Sequence, residues 1–250
     1  RALKANVARL DATAAFSDDI RDGLRGHVFT HTDPGFASGK PGLAESIKFG
    51  IVASTQHPQV DYSKVKYSQK PWAREPWQTI TYVSCHDNHT LWDRLAVTNP
   101  TASESDRIRM HKLAHAVVFT SQGVAFMHAG EEMLRTKHGV ENSYNTPDSI
   151  NWLDWSRKME YNDVYTYTKG LITLRKNHPA FRMTSAAMIR DHLEFLPAYG
   201  SDDHAVSYLL KNNANGDSWK TILVIINGGP KGHYFKLPSG RWRIVLDENT

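Results

Sequence analysis

Two short apolar runs, residues 79–84 (TITYVS) and 123–128 (GVAFMH), each end in a polar cluster, with an amphipathic stretch between them. No other feature limits the possible folds as tightly. The first run is β-branched and aromatic, follows Pro76 and stops at His86-Asp87-Asn88; the second stops at Gly130-Glu131-Glu132. Between them Ser103 offers an N-cap with an acid at Asp106, and Met110, Leu113, Ala114, Val117 and Val118 recur at helical spacing. A further helix is predicted where Val164, Tyr167, Leu171, Ile172 and Arg175 lie on or beside one face, stopped by His178-Pro179. Strands alternating with helices imply a parallel sheet, and polar clusters after each strand suit the C-terminal rim of a β/α barrel. So few units make only part of one.

The flanks differ in texture. Residues 1–60 are polar and rich in Gly, Ser, Asp and Pro, with a loop at 30–42 (THTDPGFASGKPG), and read as an excursion outside the core. Beyond Arg182 come five short strand-like runs, at 192–196, 205–211, 221–227, 234–237 and 242–246, separated by turns such as Gly228-Gly229-Pro230. With no helix among them they predict an antiparallel β-sandwich. The expected fold is therefore α/β, a partial (β/α)8 barrel over residues 1–181 followed by a β-sandwich over 182–250.

At 250 residues, 40% hydrophobic and 22% charged, the chain can bury a sizeable core. Its +4 charge is scattered, which argues against a nucleic-acid partner. No apolar run approaches the ~20 residues of a membrane span. The sole cysteine, Cys85, excludes an internal disulfide and leaves the redox compartment open. Arg1 has the look of a cut edge, so any targeting segment would lie upstream.

Chemistry-bearing residues are densest at 82–93 (YVSCHDNHTLWD). This stretch resembles the fourth signature region of the α-amylase superfamily, and its continuation from Asn88 to Asp93 is similar to type I pullulanases. Residues 16–26 (FSDDIRDGLRG) resemble the segment around the sixth barrel strand of that family. Residues 130–137 (GEEMLRTK) resemble the end of the eighth, and the stretch from Asn142 through Asp148 and Asn151 to Trp155 resembles the loop after it.

The resemblance implies a debranching glycoside hydrolase that cleaves α-1,6 linkages of pullulan, starch or glycogen with retention. Retaining glycosidases need a nucleophile and a proton donor around an oxocarbenium-like transition state. By resemblance Asp87 is the third carboxylate, the transition-state stabiliser, and His86 donates to a hydroxyl of the same sugar. Asn88, Trp92, Arg135, Asn142, Tyr144, Asn145 and Asp148 are the expected substrate-binding residues, with α-glucan as partner.

The nucleophile and general-acid motifs, which follow the fourth and fifth strands in that family, do not occur in this sequence. The N-terminal part of the barrel is thus a further expected partner, and the chain by itself is expected to be inactive. Alternatives are an isoamylase or branching enzyme, or a non-catalytic glucan-binding fragment. The resemblance also implies a secreted or cell-surface location. It leaves calcium open, while no acidic cluster with EF-hand-like spacing calls for a metal.

Three nearby features receive ordinary readings. His111 and His115 lack a zincin Glu and a third ligand, so they are assigned to a solvated helix face. Cys85 is expected to be a buried, inert thiol. One of Glu131 and Glu132 is expected to pair structurally with Arg135 or Lys137.

Overall fold

The computed structural model describes residues 3–197 and 203–248. Arg1, on which the reading of the chain's start rests, and residues 198–202 and 249–250 of the expected sandwich lie outside them. In chain order the elements are β1 (Ala15–Phe16), α1 (Asp18–Arg25), α2 (Ala44–Ile51), β2 (Thr79–Thr81), α3 (Leu91–Thr98) and α4 (Glu104–Thr120). They continue with β3 (Val124–Ala125), α5 (Asp148–Asn151), α6 (Arg157–Glu160), α7 (Asn162–Asn177), α8 (Ala186–His192), β4 (Leu193–Leu196), β5 (Ala205–Lys211) and β6 (Thr221–Asn227).

The alternating strands form a parallel sheet in the order β1-β2-β3, with Phe16 opposite Ile80 and Ile80 opposite Val124. Both predicted strands are shorter than their apolar runs. Beyond the ladder, single bonds such as Phe126 N–H to Thr81 O at 2.9 Å hold the segments together. The crossover helix α4 starts as expected, the Ser103 hydroxyl accepting from the Asp106 amide at 3.1 Å. Its far end is tied down by Arg175 of α7, whose guanidinium donates to the carbonyls of Phe119, Ser121 and Gly123 at 2.6–3.0 Å.

Residues 3–60 are not an excursion. Ile20, Leu24, Phe36, Ile47, Phe49 and Ile51 are all fully buried. Ile20 and Leu24, like Ile47 and Ile51, are four apart and share a helix face. The polar residues that made the segment resemble a loop are themselves internal and bonded. Asp19 accepts from the amides of Tyr67 and Ser68 at 3.0 and 3.1 Å, and Asp22 pairs with Arg21 at 2.5 Å. Arg94, only 2% exposed, gathers the carbonyls of His27, Thr30 and Asp33 at 2.8–2.9 Å and so folds the loop after α1. That loop also needs Gly26, at φ +92°, where any Cβ would run into the Asp33 carbonyl.

A second sheet is antiparallel, β4-β5-β6. Three of the five strand-like runs beyond Arg182 form it, and the helix α8 precedes β4 where none was expected. The other two, 234–237 and 242–246, carry no ladder among the described residues. Tyr234 and Ile244 are 88% and 79% exposed. β-propensity makes a strand only where a backbone edge is taken up. The last described residues instead run toward α4, with Arg109 Nε donating to Glu248 at 2.8 Å.

The two sheets share one core. Ile20 and Val117 belong to the same buried cluster as Phe195, Val206 and Tyr208, and the Tyr208 hydroxyl donates to the Thr120 carbonyl at 2.8 Å. The outer edge of β4 is occupied by Gln59, which exchanges two 2.8 Å bonds with the main chain of Phe195, as a neighbouring strand would.

Candidate active site

Central strand β2 delivers the chain into residues 84–90, which are pinned at both ends and carry two exposed side chains at the tip. At the near end the Ser84 hydroxyl donates to the buried carboxylate of Glu131. At the far end Thr90 caps α3, accepting from the Asp93 amide at 3.2 Å, and His89 is 5% exposed. Between these anchors the side chains of His86 and Asp87 are 83% and 76% exposed, 3.4 Å apart. Asn88 turns the backbone at φ +63°, a left-handed conformation that Asn tolerates better than most residues, and donates to Glu141 at 2.7 Å.

The segment after β3 supplies the other wall. Gly130, at φ +93°, opens a 3-10 turn (Glu131–Met133), and Arg135 and Lys137 follow it. Arg135 donates to His128 Nε2 at 3.0 Å and to the carbonyl of Asn151 at 2.6 Å. The amide of Asn151 in turn closes its own loop onto Ser143 and Thr146 at 2.7–2.9 Å. Lys137 is 3% exposed and its ammonium donates to the carbonyl of His86 at 2.7 Å.

Below the tip lies a dry titratable cluster. Burial pushes the Glu131 carboxyl up to about 7, against the lowering effects of Ser84 and Arg25. His115 Nε2 faces its second oxygen at 3.4 Å, and His111 Nε2 lies 2.8 Å from its carbonyl. Burial holds His111 down at about 4 and His115 well below the usual imidazole range. These histidines are 0% and 1% exposed, so the expected solvated face is wrong. Both rings lie on the inner side of α4, buried away from the surface. Among the described residues no three His, Cys, Asp or Glu side chains are grouped to hold a metal.

Nor does Glu131 or Glu132 pair with Arg135 or Lys137 as expected. Glu131 takes Ser84 and His115, and Glu132 accepts from the Gly130 amide at 2.9 Å. Cys85 is half-buried, not buried, because β2 has already ended and strand alternation no longer applies.

A polar cleft of about 170 Å³ collects six of the nine expected residues: His86, Asp87, Asn88, Arg135, Asn142 and Tyr144. His128, Lys137, Glu141, Ser143 and Asn151 complete it. Sequence reasoning named none of these five as site residues, although Lys137, Ser143 and Asn151 lay inside motifs it had singled out. The three other expected residues stand elsewhere. Asn145 and Asp148 are exposed on the fastened loop and do not line the cleft. Trp92 packs against His111 and Tyr161, with the Arg107 guanidinium 5.4 Å from its ring centre. A wider groove of about 670 Å³ runs between α4, β6 and residues 245–248, but aliphatic side chains dominate it and it contains none of the His86–Asp87 group.

The family model of the pullulanase all-beta domain matches residues 189–250. The pullulanase of Bacillus subtilis (strain 168) is 38% identical over 248 residues, 99% of this chain and 33% of that protein. The chain is similar to type I pullulanases along almost its whole length. It spans about a third of that pullulanase relative. The solved apo pullulanase from Paenibacillus barengoltzii superposes with a TM-score of 0.90 at 40% identity, covering 99% of this chain and 36% of the other. The same enzyme, solved with maltohexaose and α-cyclodextrin, gives 0.87 at 41% identity, covering 95% and 35%. An isoamylase from Flavobacterium sp is 32% identical over 216 residues, 69% of this chain and 28% of that protein.

Proposed function

We propose that this chain forms part of a retaining α-1,6-glucan hydrolase and supplies its transition-state-stabilising carboxylate, Asp87. The parallel strands would be the last three of a (β/α)8 barrel, and the antiparallel sheet part of the β-sandwich that follows. The observation that carries this reading is the exposed His86–Asp87 pair at the C-terminal end of the central parallel strand, opening into a cleft of hydrogen-bonding side chains. Similarity to a pullulanase solved with maltohexaose supports α-glucan as the substrate class.

In this reading the nucleophile attacks the anomeric carbon as the proton donor protonates the departing oxygen, both from sequence outside these 250 residues. Asp87 accepts hydrogen bonds from hydroxyls of the reacting sugar. Those bonds strengthen as the ring becomes electron-poor, which converts binding into rate. His86 donates to a hydroxyl of the same sugar, and Asn142 and Tyr144 offer further polar contacts at the rim.

The test is Asp87→Asn in the full-length enzyme, with products from pullulan analysed. Maltotriose release by the parent would mark α-1,6 cleavage, and turnover in the variant should drop by about a hundredfold or more. Unchanged turnover would refute the assignment. Cleavage of glycogen branches with pullulan left intact would favour an isoamylase-type specificity instead.

A further inference from the structure

We propose that Lys137 is the positioning residue for Asp87, a buried ammonium that fixes the peptide on both sides of the carboxylate. The inference rests on the reading of Asp87 given above. Lys137 Nζ donates to the carbonyl of His86 at 2.7 Å and reaches that of Asn88 at 3.5 Å, so its acceptors flank Asp87 directly. Among the described residues it makes no ion pair. Its ammonium donates to main-chain carbonyls, and a buried charge gives up such bonds only at a desolvation cost. Those carbonyls are thereby held in one direction.

The base of the clamp is equally fixed. The Lys137 amide donates to Asp93 Oδ2 at 2.7 Å, and the Thr136 hydroxyl to Asp93 Oδ1 at 2.5 Å. Asp93 lies in the first turn of α3 and is 6% exposed. The clamp therefore ties the tip of residues 84–90 to the helix that follows it. The tip needs this, since the side chains of His86 and Asp87 face solvent. A carboxylate stabilises a transition state only if its orientation is set beforehand. A compact ammonium suits two converging carbonyls better than a planar guanidinium fork would.

Lys137→Met in the full-length enzyme tests this, with Asp87→Asn measured alongside. The expected result is a fall in kcat of about tenfold to a hundredfold with KM changed by less than about threefold, because the substrate's ground-state contacts are largely kept. Amide exchange across residues 84–90 should quicken. In Lys137→Gly, added ethylammonium should restore part of kcat, which a merely structural lysine would not allow. If Asp87→Asn abolishes turnover while Lys137→Met leaves kcat within about twofold, the clamp is refuted. If Asp87→Asn itself leaves turnover intact, the functional reading has failed and amide exchange alone judges the clamp: quickened exchange upholds it, unchanged exchange overturns it. Should Lys137→Met not fold, Lys137→Arg takes its place, with reduced kcat upholding the clamp and parental kcat overturning it.

Discussion

The clusters that end β2 and β3, His86-Asp87-Asn88 and Gly130-Glu131-Glu132, look alike in sequence and occupy equivalent ends of neighbouring strands. Their fates are opposite. Asp87 is 76% exposed at the mouth of a cleft, whereas Glu131 is 1% exposed under α4. The first can meet a ligand, and the second can only hold the protein together. An acidic cluster after a parallel strand therefore identifies a rim position, while the next helix decides whether that position is a site or a buried joint. The two are also mechanically joined, since Ser84 on the Asp87 segment donates to Glu131.

The sharpest way to break this comparison is to neutralise each carboxylate in turn in the full-length enzyme. Asp87→Asn should lower turnover by about a hundredfold or more and leave the melting temperature nearly unchanged, as expected of an exposed residue in a site. A large loss of stability with kcat intact would reverse the roles assigned here.

Glu131→Gln should show the complementary pattern, visible as a pH dependence of stability. Burial raises the folded carboxyl to about 7, while the unfolded group titrates near the ordinary value of 4.5. Between those pH values the native state keeps a proton that the unfolded state has released, so stability falls as pH rises through the window. Gln carries no such proton. The variant should therefore gain on the parent between pH 4.5 and 7 by roughly 3 kcal/mol and then level off. His115 contributes with the opposite sign below pH 6.5, but it is present in both proteins. Denaturant melts at several pH values read the difference, and a gap independent of pH would show that Glu131 is ionised throughout.

Trp92 sharpens the same distinction between joint and site. Packed on His111 and Tyr161 outside the cleft, Trp92→Ala should cost about 2 kcal/mol of stability and leave KM for pullulan unchanged. A raised KM with an unaltered melting temperature would return Trp92 to the site. The smallest effect belongs to Tyr144, 84% exposed on the cleft rim. Tyr144→Ala should raise KM by roughly twofold to fivefold without a measurable stability change.

Much of this was legible beforehand where a local rule operates. The Ser103 cap, the end of α7 before His178-Pro179, and the bounds of β5 and β6 all follow from capping, periodicity and turn chemistry. The His86–Asp87 tip was legible through resemblance and because a strand running into polar residues must end at a surface or a site. Legibility failed where the partner is distant in sequence. The polar segment 1–60 reads as loop until Tyr67 and Ser68 satisfy Asp19, and residues 234–237 and 242–246 read as strands although among the described residues no edge receives them. Lys137 carried no local signal that its ammonium would close on His86, 51 positions away.

Sequence alone determined the alternation of elements, the helix starts and stops, and the segment that bears Asp87, because each depends on residues within a turn or two of one another. Tertiary structure alone decided that Glu131, His111 and His115 lie in the dark while Asp87 meets solvent, that Trp92 supports the loop from outside the cleft, and that Lys137 grips the peptide around the carboxylate. Burial and charge pairing are properties of what another part of the chain places alongside a residue, and no local pattern encodes that neighbour.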